Sequence, residues 1–321
     1  MAAISDDMDV LIVSTAVDAA TDEVVRILSE RGAQVARLNT EELPFDASLS
    51  VDFHGEWATT LQYQGKCIAA STIWYRRIRA PQKPEAMDPG IYDFCLRENR
   101  AALLGGLMAQ SARWLNHPAA VWEAEFKPFQ LRIAKEVGLP IPRTLISNDP
   151  DAIARAHAHF GRTIVKPARS GHFWREGEEY AIFTSLLTDE HLDALSDAKW
   201  TPSIYQELIP KDVDVRVTWV GGRIFAAAIH SQTDPLAVVD WRKTGNAALP
   251  HSRLELPQPL LDKLHQLMIR LGLAFGCIDL VRTPSGEYVF LEVNPSGQWL
   301  WLDDQLGLGI SSAVADWLIG P

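Results

Sequence analysis

Val289-Phe290-Leu291-Glu292-Val293-Asn294 reads as a β-strand that carries chemistry on one face. Side chains alternate along a strand, so Phe290, Glu292 and Asn294 are expected on one side and Val289, Leu291 and Val293 on the other. Upstream, residues 275–281 form a second apolar strand, with Pro284-Ser285-Gly286 as the turn between the two. A two-residue Ser285-Gly286 turn pairs the strands so that Asp279 faces Glu292. Two carboxylates and an amide then converge. Facing carboxylates repel each other, so a fold that brings them together needs a compensating cation. All three groups are hard oxygen donors, which suit Mg²⁺ or Mn²⁺ shared with phosphate oxygens and not zinc. The alternative is a solvated strand face with chance acids, and the apolar character of residues 275–281 argues against it.

A phosphate-bearing ligand calls for cations. Lys166 ends the apolar strand Thr163-Ile164-Val165 and precedes Pro167. A lysine at the end of a buried strand needs an anion. Ala168-Arg169-Ser170-Gly171-His172 follows, a small and flexible stretch suited to covering phosphates. Lys127, opening a helical segment, is the second candidate contact to phosphate or adenine. An isolated lysine is usually a solvated surface group, and these two count only because the surrounding pattern agrees. Tyr205-Gln206-Glu207-Leu208-Ile209-Pro210 leaves a strand for a connector whose backbone can read an adenine edge. Asp214 follows as a candidate for ribose hydroxyls, and Arg216 shares its strand face. An arginine beside a metal–phosphate centre stabilises charge on a transferring phosphoryl group. A surface Asp–Arg pair is the plainer reading of these two residues in isolation.

The N-terminal third begins β-α-β: a strand at 9–13, a helix at 22–31 stopped by Gly32, and a strand at 35–38. The turn Ser14-Thr15-Ala16-Val17-Asp18 has no glycine, so the dinucleotide-binding fingerprint is absent and a nicotinamide oxidoreductase loses its support. Short strands follow at 49–53, 57–63, 66–69 and 72–76, with a Gln64-Gly65 hairpin turn. A long helix is expected over 91–113. Helices at 127–137, at 149–159 capped by Asp149, and at 259–271 punctuate the remainder. The domains read as 1–115, 116–202 and 203–321.

The chain has 321 residues, and at ~150 residues per domain its length alone indicates about two domains. Lys plus Arg number 30 and Asp plus Glu 41, a net charge of -11, which argues against bulk nucleic-acid binding. Three scattered cysteines, Cys67, Cys95 and Cys277, fit neither a disulfide framework nor a zinc site, and point to a reducing cytoplasm. The N-terminus lacks the pattern of a signal peptide, and no apolar run approaches the ~20 residues that span a bilayer. Of 11 tryptophans, Trp74, Trp299 and Trp301 lie beside polar motifs and can form a peptide-binding surface. Arg76, Arg77, Arg79, Lys83, Arg97, Arg100 and Arg113 make a local basic excess suited to an acidic peptide.

The ordered set Lys127, Lys166 in Ile-Val-Lys-Pro, Gln206-Glu207-Leu208-Ile209, Asp214-Val215-Arg216, Asp279 and Glu292-Val293-Asn294-Pro295 resembles the ATP-grasp enzymes over about residues 116–321. A narrower resemblance, to the graspetide synthetases that mature microviridin-type ribosomal peptides, spans nearly the whole chain. It rests on Ile73-Trp74-Tyr75-Arg76-Arg77, Trp114-Leu115-Asn116-His117-Pro118, Phe126-Lys127-Pro128-Phe129-Gln130-Leu131, Asp240-Trp241-Arg242 and the run from Glu292 to Trp301. One departure is that Ile78 and Arg79 follow the two arginines, where the family pattern has proline directly after them. The resemblance implies an α/β (α+β) ATP-grasp fold behind an N-terminal pre-ATP-grasp β-α-β domain. It implies ATP held by Lys127, Lys166 and Glu207-Leu208-Ile209, a ribose contact at Asp214, and Mg²⁺ (or Mn²⁺) on Asp279, Glu292 and Asn294. Lys166, Arg216 and Arg242 are then the catalytic side chains, and Trp74, Tyr75, Arg76 and Arg77 face the peptide. The implied reaction activates Asp or Glu side chains of a precursor peptide as acyl phosphates and closes ω-ester or ω-amide rings with Ser, Thr or Lys. The implied partners are that precursor, with leader and acidic core, and a second copy in a homodimer, with no nucleic acid or membrane. No general base stands out; His172 and His230 are candidates, each read more simply as structural. The rival readings are an ATP-grasp carboxylate–amine ligase acting on a small molecule or protein tail, and a catalytically inactive peptide-binding module.

Overall fold

The computed structural model describes residues 6–54, 58–169, 171–175, 178–245 and 248–320. Within the expected phosphate-covering stretch, Ser170 and the side chain of His172 lie outside the described residues. No helix among the described residues is long and apolar enough to cross a membrane.

The N-terminal domain is a six-stranded sheet. It contains β1 (Asp6–Ser14), β2 (Val35–Asn39), β3 (Leu49–His54), β4 (Ala58–Tyr63), β5 (Lys66–Tyr75) and β6 (Arg113–Leu115), in the order β2-β1-β5-β4-β3 with β6 beside β5. The predicted β-α-β start is present, with α1 (Ala19–Glu30) capped by Asp18 and halted before Gly32 at φ +80°. Gln64 and Gly65 both have positive φ, as a two-residue type I′ hairpin turn requires. The strands expected at 66–69 and 72–76 are one continuous strand, because Ala70 stays buried in the sheet between them. The helix expected over 91–113 is α2 (Pro89–Met108). Arg113 and Trp114 instead pair with Thr72 and Ile73 in β6, a tertiary pairing that helical propensity does not reveal.

Two helices follow, α3 (Pro118–Ala124) and α4 (Lys127–Glu136). The next lobe has β7 (Thr144–Ser147), α5 (Pro150–Phe160), β8 (Thr163–Pro167), the hairpin β9 (His172–Arg175) and β10 (Glu178–Ala181), β11 (Ser185–Leu186), α6 (Asp189–Asp193) and β12 (Ser203–Glu207). Its sheet runs β11-β8-β12-β7. The boundary expected at 202/203 therefore moves past β12, to the connector at 208–212, because β12 pairs with β7 and β8.

The last lobe carries β13 (Val213–Val220), β14 (Arg223–Ile229), β15 (His251–Arg253), α7 (Gln258–Arg270), β16 (Phe275–Arg282), β17 (Tyr288–Asn294), α8 (Leu300–Leu306) and α9 (Ile310–Ile319). Its sheet runs β15-β14-β13-β16-β17. One face packs Val215, Val217, Ile278, Leu280, Phe290 and Val293 against α4 and α7. Helix α9 fills the space between the other face and α1, so one apolar core joins the N-terminal domain to this sheet.

Asp279 does face Glu292, but by a different route from the one the turn predicted. The turn is a three-residue loop closed by Thr283 and Glu287, with Gly286 at φ +86°, and next to it the register is offset by one. A bulge at Leu291 restores the pairing. The bulge also overturns the expected alternation: Phe290 joins Val293 in the core, while Leu291 turns to the same side as Glu292 and Asn294.

Gln130 on α4 anchors this strand. Its buried amide donates to Val293 O (2.7 Å) and to Ala124 O, and accepts from Val293 N (2.8 Å). Gln130→Leu strands three backbone groups in the core, and is expected to lower unfolding free energy by about 2–4 kcal/mol, measured by urea denaturation.

Candidate active site

A pocket of about 440 Å³ lies between the two C-terminal lobes, within the range of small-ligand sites. Most residues singled out from the sequence line it: Lys127, Lys166, Glu207, Leu208, Ile209, Asp214, Arg242, Asp279, Glu292 and Asn294. Arg216 sits directly behind them, paired across the sheet with Asp279.

The carboxylates are not left to repel each other. Arg216 Nη1 donates to both Asp279 oxygens at 2.8 and 2.9 Å, and Lys127 Nζ lies 3.0 Å from Glu292 Oε2. Compensation thus comes from side chains distant in sequence, not from an added ion alone. Burial opposes ionisation of Glu292, but Lys166, Lys127 and Arg242 hold its pKa at about 2. Burial and the charge of Glu292 push the Asp279 carboxyl up, against the pull of Arg216. Lys166 is buried and has no ion-pair or hydrogen-bond partner among the described residues. Burial lowers its pKa, and Glu292 opposes that shift.

Asn294 Nδ2 points at Asp279 Oδ2 (3.0 Å) and Glu292 Oε1 (3.4 Å). The two ends of an amide exchange on a half-turn. With that turn the site offers three hard oxygens side by side, a donor set that fits Mg²⁺ or Mn²⁺. No group of three His, Cys, Asp or Glu suited to a metal occurs among the described residues, so a cation here needs further oxygens from a ligand.

Other predicted residues are differently engaged. Both Asp214 oxygens are taken, by Lys211 Nζ (2.7 Å) and by the Ser231 hydroxyl. The Glu207 carboxylate binds Arg143, leaving its backbone at the pocket. Arg242 forms a two-point pair with buried Asp240 at 2.8 and 2.7 Å, and the Thr184 amide also donates to Asp240. His230 bonds Ser252 and does not line the pocket. Asp240 and Lys211 were missed as site residues; the Asp240-Trp241-Arg242 run held the signal for the first, and nothing local marks the second.

The expected peptide-facing set needs correction. Trp74 and Trp299 are buried against each other, 1% and 0% exposed, so neither is a surface for a peptide. Arg76 is buried as well, at 1%. Tyr75 and Arg77 are only partly covered. Arg113 leaves the basic patch, since its guanidinium binds the Trp317 and Gly320 carbonyls at the end of α9.

Residues 9–121 match the family model of the MvdD pre-ATP grasp domain. The macrocyclase MdnC from Microcystis aeruginosa, solved with its precursor peptide MdnA, is 31% identical. That match covers 98% of this chain and 100% of that one, with a TM-score of 0.87. The Chryseobacterium gregarium RiPP-associated ATP-grasp ligase, solved with ADP and a leader and core peptide, is 30% identical over 97% of this chain and 96% of its own, with a TM-score of 0.88. Beta-citrylglutamate synthase B from Danio rerio is 27% identical over 68% of this chain, which spans about half (53%) of that protein's length. Identity and shape agree over nearly the whole length, and the chain belongs to the ATP-grasp ligases that act as macrocyclases of ribosomal peptides, the graspetide synthetases.

Proposed function

We propose that this chain is a cytoplasmic, ATP-dependent peptide macrocyclase. A carboxylate oxygen of an Asp or Glu in a precursor peptide attacks the γ-phosphorus of ATP, and ADP leaves. A Ser or Thr hydroxyl, or a Lys amine, of the same peptide then attacks the acyl carbon. The bond from that carbon to the phosphoryl oxygen breaks, phosphate departs, and the nucleophile's proton passes to solvent or a base. The observation that carries the reading is the convergence of Asp279, Glu292 and Asn294 with Lys127 and Lys166 around one pocket, with Arg216 paired to Asp279 from behind.

Lys127 and Lys166 face the phosphates. The Leu208 amide is committed to Arg162 O, while the Ile209 amide has no hydrogen bond among the described residues, so Ile209 with the Glu207 carbonyl offers an adenine edge. Asp214 meets the ribose together with Lys211. Asp279, Glu292 and Asn294 hold Mg²⁺, for which Mn²⁺ is the nearest substitute; when bound, it neutralises charge on the transferring phosphoryl group. Arg216 and Arg242 orient the substrate carboxylate, whose shape suits a planar guanidinium. Holding both reacting side chains of one peptide together raises their effective concentration. Tyr75 and Arg77 remain in the peptide-facing set.

The test is incubation with a candidate precursor peptide, one encoded beside this chain's gene, together with ATP and Mg²⁺, read by mass spectrometry. Each ring removes one water, and chelating the Mg²⁺ stops the loss. Peptide-independent ATP binding without any loss of water would overturn the proposal. A homodimer is part of it, supported by Ile91, Phe94 and Met108 exposed along α2; a monomer mass by light scattering would remove that part.

A further inference from the structure

We infer that Arg76, supplied by the N-terminal domain, is a positioning residue for the pocket: it fixes residues 296–298, the segment that anchors Arg216. The inference rests on the role proposed above for Arg216.

Arg76 follows β5, and Asp18 follows the adjacent parallel strand β1. With β2 on the far side of β1, this is the point where the strand order reverses, the place where open α/β sheets take ligands. Here a protein side chain fills that crevice and reaches across to the last lobe.

The partners of a buried guanidinium show what it holds, because an uncompensated buried charge is costly. Asp18 Oδ2 lies 3.4 Å from Arg76 Nε. The other partners belong to one loop just after β17. Nη1 donates to Ser296 O (2.5 Å) and Gly297 O (3.1 Å), and Nη2 to the side-chain oxygen of Gln298 (3.0 Å). The guanidinium lies 4.7 Å from the ring centre of Trp299.

The next carbonyl, Gln298 O, accepts from Arg216 Nη2 at 3.0 Å, and the preceding one, Pro295 O, from Asn116 at 3.1 Å. Carbonyls 295 to 298 are thus each held by a side chain, the middle two by Arg76. The loop has no slack: a Cβ on Gly297 would lie 2.4 Å from Cys277 Cβ and 3.0 Å from Arg216 Nη2. Arg216 therefore has one end on Asp279 and the other on a carbonyl that Arg76 places. Without Arg76 the first anchor survives and the second is lost.

Ring formation is compared in wild type, Arg76→Lys, Arg216→Lys and the double variant, with folding checked by circular dichroism. The expected result is a kcat lowered roughly 10- to 100-fold in Arg76→Lys, with the KM for ATP held within about two-fold. In the Arg216→Lys background the same change costs less than about two-fold. If Arg216→Lys leaves no rate, the split between kcat and KM decides. If Arg76→Lys does not fold, Gln298→Met removes one acceptor, leaves every charge in place and is read the same way. A folded variant with wild-type kcat, an equal loss in both backgrounds, or a fall in kcat/KM that lies in the KM for ATP overturns the inference. A wild-type protein that closes no ring fails the functional proposal instead.

Discussion

Glu292→Gln is expected to cut ring formation by on the order of 10²- to 10³-fold while leaving the protein folded. The substitution preserves shape, so β17 keeps its packing on the core. What disappears is a charge. Lys127 loses its carboxylate partner, Lys166 loses the group that opposes its desolvation, and Asp279 is relieved of a like charge across the strand pair. One of three hard oxygen donors becomes half donor and half N–H, and a divalent ion bound there loses charge compensation. Ring formation by mass spectrometry, alongside the thermal midpoint, separates this from unfolding. Unchanged ring closure would remove Glu292 from the ion site.

Lys166→Met carries the second large effect. Methionine matches the length of the lysine stem without its charge. Lys166 is buried and has no ion-pair or hydrogen-bond partner among the described residues, and Glu292 keeps Lys127 at 3.0 Å. Replacing a buried charge by an apolar group of similar size is often neutral or stabilising. The thermal midpoint should therefore hold or rise, while turnover falls by on the order of 10²-fold or more through lost compensation of phosphate charge. A stabilised, inactive variant is the signature of a side chain retained for its ligand. Turnover at the wild-type level would show that Lys166 does not meet the phosphates.

Much of the pocket's lining was legible because it is written in short-range patterns. Alternation over 292–294 placed two oxygen-bearing side chains on one strand face, an apolar partner strand lay one turn away, and a lysine closed an apolar run at 163–166. Turn and cap residues were equally local: Gln64-Gly65 made its hairpin and Asp149 its helix cap. These features depend on neighbours within a few residues, where backbone geometry and side-chain chemistry decide the outcome. Position along the chain also ordered the lysines, the connector and the carboxylates into one recognisable series.

The tertiary structure decided what depends on partners far along the chain. The bulge at Leu291 set which side chains share the site face, and it arises from pairing two strands, not from either alone. The cation on Asp279 comes from Arg216, 63 residues away. Arg76 and Trp74, polar and aromatic beside one another in sequence, promised a surface and are buried, because α9 and the 296–298 loop close over them. Burial is a property of what the rest of the chain places on top of a residue, and no local pattern of side chains carries that information.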